Sequence, residues 1–172
     1  MSASEDVRRH EAGHAIAAVA LGMGLREPAM TLISDQQACV NVAPPMFASS
    51  DEAWYIRRAA VKLAGPIAMI RSRGQAMDWQ TLREEAEYAT DLNEAERILQ
   101  KFWLDKGLGA AEYLVSEQLN RAASFAIQCI NQNEGAISAL TEATESQDAF
   151  CFEQIIDAIA RYQPLCTPNE ME

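Results

Sequence analysis

His10-Glu11-Ala12-Gly13-His14 opens an apolar run that continues as Ala15-Ile16-Ala17-Ala18-Val19-Ala20-Leu21. These are the only 2 histidines of the chain, four residues apart, with a glutamate directly after the first. In a helix, residues i and i+4 lie one above the other, with Cβ atoms about 5–6 Å apart. Two imidazoles so placed can share one ion. Zinc accepts neutral imidazole nitrogens in a tetrahedral shell, and its catalytic sites combine three protein ligands with a water. Glu11 lies about 100° around the helix from His10, free to reach that water as a general base. The pattern therefore predicts a zinc-hydrolase helix. Its bland competitor is a chance match whose histidines are merely hydrogen-bonded. Ala12 and Gly13 would keep the helix slim beside the metal.

The rest of the 172-residue chain suits one domain with a sizeable core, spanning 1–162, followed by a flexible tail over 163–172. With 49% apolar and 23% charged residues, the composition is that of an ordinary globular protein. A net charge of -11 argues against nucleic acid and anionic membrane surfaces as partners. The pairs Arg8-Arg9, Arg57-Arg58 and Arg71 with Arg73 read as solvated helix faces. Cys39, Cys129, Cys151 and Cys166 form no C-x-x-C, and no secretory-type leader is visible, so reduced thiols and a cytoplasmic location are expected. No apolar run reaches the 18 or so residues of a membrane helix.

Ser2-Ala3-Ser4-Glu5 has the form of a capping box, so the first helix is expected from Val7 to about Leu21, ended by Gly22 and Gly24. Met30-Thr31-Leu32-Ile33 and Cys39-Val40-Asn41-Val42, around a polar turn, predict a hairpin or small sheet near 29–43. Such strands cover a core; an edge strand beside a protease site can also bind extended substrate. Ser49-Ser50-Asp51-Glu52 caps a helix over 53–73 that Gly65-Pro66 should kink or split. Helical pattern returns from Asp78 to Lys106, with a restart at Thr90-Asp91, and again over 110–131, 135–144 and 150–162. The expected class is mainly α with a small sheet.

Two histidines leave a zinc site one ligand short, and with no third histidine the remainder is a carboxylate or a cysteine. Glu84, Glu85, Glu87, Asp91, Glu94 and Glu96 supply the candidates. Asp91, at an expected helix start, is either a ligand or an N-cap accepting backbone N–H groups. Glu94 is the second choice.

The run His10 to Ala15, then Leu63-Ala64-Gly65, then Ala89 to Ile98 resembles the peptidase domain of the FtsH-type ATP-dependent zinc metalloproteases. The resemblance implies that fold, zinc ligation by His10, His14 and Asp91, and Glu11 as the base. The mainly helical C-terminal part also resembles the family's. Where the family has Gly-Gly-Arg followed shortly by Glu, this chain has Ala64-Gly65-Pro66-Ile67-Ala68-Met69, and a carboxylate is missing. No G-x-x-x-x-G-K-[ST] phosphate loop occurs, and no membrane anchor precedes the motif.

The resulting expectation is a Zn2+-dependent metallopeptidase acting on peptides or unfolded protein without its own ATPase. A separate ATPase is a conceivable partner, and a homo-oligomer is compatible with the sequence. The alternative is a catalytically silent module of the same fold that binds peptides or a partner.

Overall fold

The computed structural model describes residues 4–34, 37–44, 51–76, 79–109 and 111–160. In chain order the elements are α1 (Glu5–Ala20), β1 (Leu25–Ser34), β2 (Gln37–Val42), α2 (Glu52–Ser72), α3 (Trp79–Glu84), α4 (Ala86–Asp105), α5 (Glu112–Gln132), α6 (Glu134–Ala143), β3 (Ala149–Phe150) and α7 (Phe152–Ile159). The architecture is mainly helical, with one small antiparallel sheet ordered β2-β1-β3. The tail at 163–172, the end of the last expected helix, Cys166, and parts of both expected capping boxes lie outside the described residues.

Ser4 caps α1 by accepting from the Val7 N–H at 3.4 Å, and Asp51 caps α2 by accepting from Ala53 at 3.0 Å. Gly22 ends α1 with φ 68, where a side chain would be strained, and its N–H meets the Val19 carbonyl at 3.1 Å. α1 is buried nearly all round, from Glu11 to Ala18. It packs mainly on α2, with α5, α6, β1 and β2 around it.

Of the kink or split expected at Gly65-Pro66, the split does not occur: α2 runs from Glu52 to Ser72 with Pro66 inside. An interior proline costs roughly 3 kcal/mol. Each fully buried large aliphatic side chain returns roughly 1.5–3 kcal/mol, and Ile56, Val61, Leu63, Ile67 and Ile70 are all buried on this helix. Burial on α1, α4 and α5 therefore outweighs the proline.

The restart expected at Thr90 is also displaced. The chain breaks at Glu85, between α3 and α4, so Asp91 lies inside α4 rather than at its cap. Tyr88, Leu92, Ala95, Leu99 and Phe102 form one buried stripe along α4, and that stripe begins before Asp91.

The arginine pairs are not simply solvated. The Arg8 and Arg9 side chains are 13% and 12% exposed and pair with Glu145 and Glu134, while Arg73 reaches Asp6 at 2.7 Å. Arg9 thereby ties α1 to α6. β3, two residues pairing with Met30 and Thr31, had no strand signature in the sequence. Among the described residues no helix is long and apolar enough to cross a membrane.

Candidate metal centre

α1 presents His10, Glu11 and His14, and α4 brings Asp91 against them. The Nε2 atoms of His10 and His14 stand 3.0 Å apart. Asp91 Oδ2 is 2.9 Å from His10 Nε2, and Oδ1 is 3.5 Å from His14 Nε2. Ligand atoms at about 2.0–2.1 Å from a tetrahedral zinc stand about 3.3–3.4 Å from one another, and the individual separations of 3.0, 2.9 and 3.5 Å are near that spacing. His10, His14 and Asp91 form a group that could hold a metal ion, all within 4.8 Å of one another. Two imidazoles and a carboxylate suit several divalent transition metals.

Contacts behind the rings set their orientation. His14 Nδ1 donates to the Val61 carbonyl at 2.7 Å, which turns Nε2 toward His10 and Asp91. His10 Nδ1 faces the Met69 sulfur at 3.2 Å and so presents its own Nε2 inward. Without a bound ion, hydrogen on these Nε2 atoms is given to Asp91, and a bound cation would take its place.

Glu11 is buried beside the triad, and its Oε2 has no hydrogen-bond partner. A buried carboxylate oxygen without a partner calls for an explanation, of which a catalytic role or a bound water or ion is one. Burial raises the Glu11 pKa against the pull of His14 and His10. Burial also opposes charge on Asp91, but His14 and the hydrogen bonds of both rings outweigh it and hold that carboxyl well below the usual range. For His14, burial favours the neutral ring, yet Asp91 and Glu11 raise its pKa overall. The field in the site attracts positive charge.

Close backbone approach makes room for this arrangement. A Cβ at Gly65 would lie 2.5 Å from His14 Nε2, so the ring packs flat against that glycine. Gly13 serves a different contact from the one the sequence suggested. Its missing Cβ would sit 2.8 Å from the Ala64 carbonyl oxygen and the Ala68 Cβ, so it admits α2 rather than slimming the metal face.

Glu94, the second-choice ligand, is elsewhere engaged: its Oε2 pairs with Lys62 Nζ at 2.6 Å. Lys62, Val61, Gly65 and Met69 all come from α2, and of these only Gly65 belongs to a run that the sequence singles out. They follow from a single fact, that α2 lies across α1 at the histidines. The four motif residues share a cleft of about 250 Å³ with Lys62, Glu94 and, from the outer strand β2, Ala38, Cys39, Val40 and Val42. Neither a protein-family model nor a curated protein matches the chain, so a role for this centre has to be argued from its own atoms.

Proposed function

We propose that the chain is a zinc metallopeptidase, akin to the peptidase domain of the FtsH-type proteases, that hydrolyses peptide bonds in flexible or unfolded polypeptides. The observation that carries the reading is the convergence of His10 Nε2, His14 Nε2 and Asp91 beside the unpartnered Glu11 Oε2. His10, His14 and Asp91 would hold the ion, with Val61 and Met69 orienting the two rings. A zinc ion bound there supplies a Lewis acid for the scissile carbonyl and lowers the pKa of water toward 7. Glu11 takes the proton of the attacking water on Oε2 and delivers it to the leaving amine. The buried α1–α2 contact keeps bulk water from the ligand side, and the cleft under β2 admits an extended chain.

These residues include no phosphate-binding loop, so the substrates suited to the site are short, flexible or already unfolded, unless a separate ATPase delivers them. The silent-module alternative is motivated by the altered Gly65-Pro66 segment and by the absence of a phosphate loop from these residues. That segment is continuous helix, and Gly65 still cradles His14.

The test is Glu11→Gln assayed on an unfolded protein, with zinc content measured in parallel. Zinc is retained while cleavage falls about 10²–10⁴-fold, the usual worth of a general base; undiminished cleavage would sink the proposed role. Asp91→Ala loses zinc and Glu94→Ala keeps it. Full zinc in folded Asp91→Ala would remove Asp91 from the ligand set.

A further inference from the structure

Resting on the peptidase reading, we infer that the site selects polypeptides carrying an acidic side chain a few residues from the scissile bond, received by Arg58 and Arg26. The cleft at the metal group continues into a second one of about 390 Å³. Val40, Val42, Val61 and Lys62 wall both, which makes one groove under β2. The second half adds Arg26 and Arg58 from two different elements, together with Glu27 and Asn41.

The charge of the second half of this groove is opposite to that of the chain. The sequence has 14 basic and 25 acidic residues, yet the second cleft is lined by three cations and one carboxylate. That carboxylate is already in use: Glu27 Oε1 accepts from the Phe152 N–H at 2.9 Å. Lys62 is held by Glu94. Arg26 and Arg58 make no ion pair with any described residue. Arg58 lies over the Trp54 ring at 5.2 Å, and its partial burial lowers its pKa. A stacked guanidinium keeps its donor fork in place and loses little freedom on pairing. Arg58 feels the distant pull of Glu94 but has no ion-pair partner among the described residues, and an arginine so placed beside a substrate groove is matched by a carboxylate, which it can bind bidentately.

The occupant is a peptide in extended form. β2 is an edge of the sheet ordered β2-β1-β3 and runs along both halves of the groove, and an edge strand binds extended chain through its main-chain groups. Ala38 and Cys39 wall only the metal half and Asn41 only the arginine half. At about 3.3 Å of rise per residue, the acidic position falls roughly two to four residues from the scissile bond.

The experiment uses C-terminally amidated peptides containing one cleaved sequence, with Glu or Gln placed at each of the five positions on either side. At one position the zinc-loaded protein cleaves the Glu peptide about 10–100-fold faster in kcat/KM than its Gln twin, the discrimination expected of a charged hydrogen-bonded pair. Arg58→Gln and Arg26→Gln each shrink that ratio, whereas Arg57→Gln, outside the groove, keeps it. Equal cleavage of Glu and Gln peptides at every position overturns the subsite and leaves hydrolysis standing. If zinc-loaded protein cleaves none of the peptides, the hydrolase reading fails instead. Fluorescence anisotropy of the same peptides on Glu11→Gln then decides the subsite: tighter binding of one Glu peptide supports it, and equal binding overturns it.

Discussion

The sulfur of Met69 stands 3.2 Å from Nδ1 of His10, where the equivalent atom of His14 has the Val61 carbonyl at 2.7 Å. A metal-binding histidine normally gives this second N–H to a carboxylate, a carbonyl or water, and a thioether accepts it weakly. His10 is therefore the less firmly oriented of the two rings. Met69 occupies the segment in which the resembling family carries a carboxylate.

Met69→Gln places an amide oxygen within reach of that N–H. Zinc affinity, measured by competition with a chromophoric chelator, should tighten by about 10-fold and at most 100-fold, the range over which such partners act. Met69→Leu gives no gain. Equal affinity of folded Met69→Gln and the parent would show that the sulfur already orients the ring.

Gly65→Ala separates the metal centre from the stability of the fold. Alanine in a helix interior is intrinsically favoured over glycine by roughly 0.5–1 kcal/mol, but here its Cβ would lie 2.5 Å from His14 Nε2. The ring must swing away, and zinc affinity falls at least about 10-fold with little change in the Tm of the metal-free protein. Gly13→Ala does the reverse. Its Cβ meets the Ala64 backbone and Ala68, so it costs about 1–3 kcal/mol of stability by overpacking. If the two variants lose zinc equally and in proportion to Tm, the distinction fails.

Removing the metal should destabilise the protein measurably. A ligand at 1,000 times its Kd stabilises the native state by about 4 kcal/mol, which for a chain of this size corresponds to roughly 10 °C in Tm. Calorimetry before and after chelation reads this shift, and Asp91→Ala should show none. A parent protein whose Tm ignores both zinc and chelator does not bind zinc at His10, His14 and Asp91.

Alkaline pH weakens the fold through Cys129. Burial pushes this thiol from 9.0 up to about 12. Below pH 9 the thiol is protonated in both states, and stability is unaffected. Between pH 9 and 12 the unfolded chain releases a proton that the folded chain retains, so stability falls by about 1.4 kcal/mol per unit. Urea denaturation at pH 8 and pH 10 should show a steeper loss for the parent than for Cys129→Ala. Parallel losses would place the thiol in water.

The pentad and its helix were legible because both depend on residues within one turn of each other. Asp91 was identifiable as a candidate, but its setting was misread. The Thr90-Asp91 pair has the chemistry of a cap, while the stripe of Tyr88, Leu92, Ala95, Leu99 and Phe102 carries the helix straight through it. Pro66 misled for the related reason that a local rule was outweighed by burial on three neighbouring helices. Val61, Met69 and Lys62 have no local signature at all, since each matters only through what α2 lies against. The two-residue β3 is too short to pattern, and the arginine groove draws on residues from separate elements.

Because His10 and His14 belong to α1 and Asp91 to α4, with β1, β2, α2 and α3 between them, the ligand triangle exists only after the chain has closed a long loop. Closing one of that length costs roughly 4 kcal/mol in an unfolded chain, and the two histidines face each other only once α1 is helical. A metal ion would therefore have little to grip on the nascent polypeptide, and its uptake would come at the end of folding. Bound metal per chain becomes a gauge of how many molecules have reached the native state.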